Sequence, residues 1–219
     1  MRVSLINTVH GERGAVTLPA LLRVLERLAP DVVFAEIPNS HAARYEGGVH
    51  GNLESRAVAA LGQSRPISVV PVDRDEPSEE FFRVTRELFE LVERRSRDYR
   101  HLHDHHVAES ARLGLRYLNS ADSAQALAAI RNEVRDTIDW IRAPELHDVY
   151  NMWLQEIELR DREMVANIYQ FAEASALASG VFLVGAAHRD SIIQKIEAER
   201  SAGRLEIDWR VSLPSELFD

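Results

Sequence analysis

The sequence predicts a parallel α/β fold: a mainly parallel central sheet flanked by helices, with a long helical insertion between the third and fourth strands. Three observations predict it. Short apolar runs of strand length, "VSLI", "VVFA", "PISVVPV" and "VFLV", are bounded by polar or turn residues. Helical stripes alternate with the strands and the connections are short, an order that favours parallel strands. Between the third and fourth runs the pattern is almost wholly helical, from Ser78 to about Gly180.

Each element has a local reason. Val3 to Ile6 is the first strand. Thr17 is placed to cap a helix with Pro19 in its first turn, and Leu21, Leu22, Leu25 and Leu28 form its apolar stripe. Pro30 and Asp31 end that helix, and Val32 to Ala35 is the second strand, expected beside the first. Asn52 caps a helix running through Leu61, before a third strand over 66–72. Helices are expected near 78–118, 121–142 and 144–179, with Pro144 in a first turn and Gly180 just past an end. Val181 to Val184 is the fourth strand, followed by a helix near 190–202 and a final alternating strand over 205–213. The reading is a single domain, 1–219, carrying the insertion at 78–179.

Charge and composition exclude several functions. With 26 basic and 35 acidic residues the formal charge is −9, which disfavours a nucleic-acid or anionic-membrane surface. There is no cysteine, so a metal would need histidine and carboxylate ligands. No run approaches the roughly 20 apolar residues of a membrane span, and the expected location is cytoplasmic. A homo-oligomer is compatible with the sequence.

Candidate chemistry lies where the strands end, because open parallel sheets bind ligands at their carboxyl ends. The first strand releases His10, the second Glu36, the third Asp73 and the fourth His188. Glu36 interrupts "VVFAEIP", apolar on both sides, so its carboxylate is expected to be buried and to need a partner. Arg160 lies on the helical stripe of Trp153, Ile157, Met164, Ile168 and Phe171. An inward arginine keeps its charge and needs a carboxylate or an anionic ligand, and Glu36 and Asp73 are the acids named for it. His101 and His105 are spaced to grip a metal on a helix. They fall beside the stripe of Leu88, Val92, Tyr99, Leu102 and His106, and are read as an exposed polar face. The glycines of "EGGVHG" do not follow a strand, so a phosphate loop is rejected.

"NTVHGE", "LAPDVVFAEIP", "VDRD", "LRDREMVANI" and "VFLVGAAHRDSII", in that order, resemble the TraB/PrgY and Tiki group. The segment from Arg160 to Asn167 further resembles erythromycin esterases and ChaN-like proteins. The resemblance spans about residues 3 to 197. It implies a site made of paired G-x-x-H motifs and the acid after the second strand, here Gly185 to His188, His10 and Glu36. Asn7 stands where the first motif usually has glycine, and Leu159 where a glutamate often precedes Arg160. The implied activity is hydrolysis of an ester, lactone or peptide bond, with a small-molecule or peptide substrate. One form is metal-dependent, with His10, Glu36 and His188 holding Mn²⁺, Co²⁺ or Zn²⁺. The alternative is a non-catalytic protein that captures a small molecule, metal or haem in the same pocket. A third reading makes the helical insertion a docking surface.

Overall fold

The structure, a computed structural model, describes residues 1–218. Its five strands are β1 (Arg2–Thr8), β2 (Val32–Ala35), β3 (Ser68–Pro71), β4 (Ser179–Gly185) and β5 (Asp208–Arg210). They form one sheet in the order β3-β2-β4-β1-β5, with every pairing parallel. The helices are α1 (Leu18–Leu28), α2 (Ala42–Glu46), α3 (Leu53–Ser64), α4 (Glu79–Arg95), α5 (Arg97–Leu113), α6 (Leu115–Leu118), α7 (Ala121–Ile141), α8 (Pro144–Ala174) and α9 (Arg189–Ser201). Helices α4 to α8 all fall between β3 and β4. No described helix is long and apolar enough to cross a membrane.

The alternation of side chains across the pleat divides the core in two. Ile6, Val33, Ala35, Val181 and Leu183 face Leu21, Leu25, Val58 and Leu61 of α1 and α3. Val3, Leu5, Phe34, Phe182 and Val184 face Met164, Ile168, Ile192 and Ile196 of α8 and α9. Phe34 and Phe182 are fully buried, each stabilising the fold by roughly 1.5–3 kcal/mol. A smaller core of Leu88, Val92, Val134, Ile138 and Tyr150 joins α4, α7 and α8.

Strands β1 and β2 are not neighbours, contrary to the sequence expectation. Strand β4 lies between them, pairing Leu5 with Phe182 on one side and Phe34 with Phe182 on the other. Val181 to Val184 are all buried, which suits the strand covered on both faces. The chain leaves β2 toward β3 and leaves the neighbouring β4 in the opposite direction, toward β5. A crevice at the strand carboxyl ends is therefore set between β2 and β4, a topological switch point.

Other boundaries shift for local reasons. Strand β3 pairs in register with β2 over Ser68–Pro71, shorter than the expected 66–72. The expected final strand contracts to Asp208–Arg210, paired with Arg2–Ser4 alone. The expected helix over 78–118 is three helices. Ser96 ends α4 and caps α5, its hydroxyl accepting from the Tyr99 amide. Gly114 breaks the next junction at φ 66°, where an added Cβ would lie 2.8 Å from the Ala15 carbonyl oxygen. Helix α8 ends at Ala174, five residues before its expected limit of 179.

Candidate functional site

The strand ends deliver their side chains by short backbone links. Beyond β2 and β3 the chains keep pairing: Val72 donates to Ala35 and Asp73 to Ile37, at 3.0 and 3.1 Å. This holds Glu36 and Asp73 side by side. The 3-10 turn Ala186–His188 follows β4 and leads directly into α9, which places His188 between Glu36 and Asp161. His10 is tied to the start of α3 by the Leu53 amide, which donates to its carbonyl at 2.9 Å.

Four of the five expected residues form one continuous ionic cluster. The Nη2 of Arg160 donates to Glu36 Oε1 at 2.9 Å and to Asp73 Oδ2 at 2.6 Å, and its Nε donates to the same Asp73 carboxylate. His188 Nε2 lies 3.2 Å from Glu36 Oε1, and Glu36 Oε2 accepts from the Gly185 amide at 2.7 Å. The fifth, His10, lines the same cleft as Glu36, Asp73 and Arg160, a cavity of about 360 Å³. His10 and His188 are near enough for each to disfavour the other's charge.

Two further residues complete the arrangement. Asp161 is fully buried, and its Oδ1 sits 2.6 Å from His188 Nδ1. Its position three and four residues before Met164 and Val165 placed it on the buried face of α8, but the charged run "LRDRE" masks that signal. Glu54 is also buried, with Oε1 accepting from the Thr8 hydroxyl at 2.5 Å and lying 3.3 Å from His10 Nδ1. An acid in a first helical turn ordinarily serves the helix dipole in solvent. Here Ala57, Val58 and Leu61, at helical spacing from Glu54, mark its side as the buried one.

The electrostatics separate locked groups from a labile one. Burial alone would raise Glu36. The hydrogen bond and charge of His188, the charge of Arg160 and the Gly185 amide outweigh burial and bring it down to about 2. Burial would lower His188, but its hydrogen bonds to Asp161 and Glu36 raise it to about 10. Arg160 is raised as well: burial opposes its charge, and Asp73 and Glu36 overcome that. Glu36 thus stays an anion, and His188 and Arg160 stay cations, throughout the neutral range.

His10 differs. Its side chain is 64% exposed, and the hydrogen bond to Glu54 raises its pKa above 6.5 against the opposing effect of partial burial. With Nδ1–H turned to Glu54, Nε2 is the ring's second nitrogen, available as an acceptor in the neutral form. Replacing Glu54 with glutamine removes the charge that favours the imidazolium. The NMR titration midpoint of His10 is expected to fall in Glu54→Gln; an unmoved midpoint would show that Glu54 does not govern the ring.

The expected metal set His10, Glu36 and His188 is engaged with protein partners in this structure. Both ring nitrogens of His188 face carboxylates, and both oxygens of Glu36 already accept hydrogen bonds. The Arg160 guanidinium bridges Glu36 and Asp73, the place a dication would take. Among the described residues, no group of three or more His, Asp or Glu side chains converges as metal ligands. The histidine cluster of α5 stays outside the cleft: His101 and His105 are exposed, and His106 is buried with Nδ1 3.2 Å from the Tyr117 hydroxyl.

No protein-family model, curated protein or solved structure matches this chain.

Proposed function

We propose that the protein is a hydrolase of ester, lactone or peptide bonds, using His10 as general base without a metal. One observation carries the reading: a histidine ring opens onto the cleft, its Nδ1 held by a buried carboxylate. That is the acid–histidine pairing a general base requires, the acid fixing the tautomer and orientation. Nε2 would take a proton from water, and the resulting hydroxide would add to the carbonyl carbon. The tetrahedral oxyanion would meet the Arg160 edge lining the cleft, whose Nη1 carries none of the ion-pair hydrogen bonds to Glu36 and Asp73. Collapse would break the carbonyl bond to the leaving group, which would take the proton back from His10. Glu36, Asp73, Asp161 and His188 would hold Arg160 and the crevice in place. This gives Glu36 a positioning role, because a carboxylate at about 2 is a poor base at neutral pH.

The test is a panel of activated esters, lactones and short peptides with wild type and His10→Gln. A loss of about 10²–10⁴ in kcat/KM for a hydrolysed substrate, with the fold intact by circular dichroism, is expected. Equal rates in both proteins would remove His10 from the chemistry. A second reading, capture of a small molecule without turnover, draws support from the fixed charges of Glu36 and His188. It predicts saturable calorimetric binding of a panel member with no product formed.

A further inference from the structure

A second cavity, of about 360 Å³, is lined by His188 and lies between α7, α8 and the start of α9. It shares no lining residue with the cleft of His10 and Arg160. Its walls are apolar and aromatic. Tyr150 and Trp153 stack nearly parallel, with ring centroids 5.8 Å apart and planes at 13°. The Tyr150 hydroxyl donates to the Arg131 carbonyl at 3.2 Å, so its polar end is satisfied and the ring is left as wall. Ile130, Val134 and Ile157 line the interior, and Leu154, 38% exposed, lines the same space.

The charged groups around this cavity have partners within the protein. Glu158 pairs with Lys195 at 2.7 Å, and Asp190 with Arg131 at 3.6 Å. Both ring nitrogens of His188 face Asp161 and Glu36. A charged ligand would therefore shed its water against groups already paired, at a cost no wall residue repays. An uncharged apolar molecule bearing a ring loses little and gains the aromatic faces. The volume is in the range of small-molecule sites, which are concave, mostly apolar and edged by a few polar groups.

We propose that this cavity is a second ligand site, taking an uncharged, ring-bearing apolar small molecule between α7, α8 and α9. It stands independently of the hydrolase reading, since its test reads binding and no turnover. The probe is N-phenyl-1-naphthylamine, uncharged and fluorescent in apolar surroundings, titrated against the full chain. One saturable site is expected. Ile157→Trp, which fills the cavity, and Leu154→Arg, which charges an exposed part of its lining, should each weaken binding about tenfold or more. Because Leu154 is partly exposed, its variant keeps the test alive if Ile157→Trp fails to fold. His10→Gln should bind as wild type does. The proposal is overturned by non-saturable binding, by wild-type affinity in both cavity variants, or by loss of binding in His10→Gln, which would put the probe in the cleft.

Discussion

Replacing Arg160 with methionine is expected to destabilise the protein by about 3–5 kcal/mol, because it strands buried carboxylates without their cation. Glu36 and Asp73 are 8% and 5% exposed at the side chain, and both lean on the same guanidinium. Methionine keeps the apolar stem of the side chain, so most of the loss would be electrostatic. The urea midpoint measures it. Adding Glu36→Gln to Arg160→Met removes one uncompensated charge and should recover part of the stability; the recovery separates charge from packing. A cost below about 1 kcal/mol for Arg160→Met would mean that the cluster behaves like an exposed ion pair.

The second large effect is a pH dependence. His188 is raised from 6.5 to about 10 in the folded protein. Its contribution to stability is complete below pH 6.5 and is lost as pH rises through 10. Glu36 behaves oppositely: lowered from 4.5 to about 2, it contributes fully above pH 4.5 and fails as pH falls through 2. The two windows overlap between pH 4.5 and 6.5, where the cluster is strongest. From pH 6.5 to 10, wild type should lose on the order of 4 kcal/mol through His188. His188→Gln, less stable at pH 6, should show a much flatter profile over that range by urea unfolding. A parallel decline in the two proteins would take His188 out of the account.

The strand ends were legible because burial and chemistry use different alphabets there. An apolar run that stops on Glu36 or reaches His188 through Gly185-Ala-Ala announces both a strand and a side chain needing a reason. Arg160 was legible because it breaks an apolar stripe. Asp161 and Glu54 were not, although each lies on a buried face, because charged neighbours or a first-turn position give an acid an ordinary solvent role. Strand order was hidden for a different reason. Pairing between Leu5 and Phe182 is a long-range event that no local periodicity encodes. Nor does any local pattern encode the guanidinium bridging Glu36 and Asp73, which only the folded geometry brings together.

The central position of β4 has a kinetic consequence. Val3 pairs with Gly180 and Val32 also pairs with Gly180, so the middle of the sheet is supplied by a segment far downstream of both strands it joins. Until it docks, the N-terminal strands have edges with nothing between them, and apolar surface awaits a cover. Assembly must close very long loops before these pairings reward it, which favours slow folding.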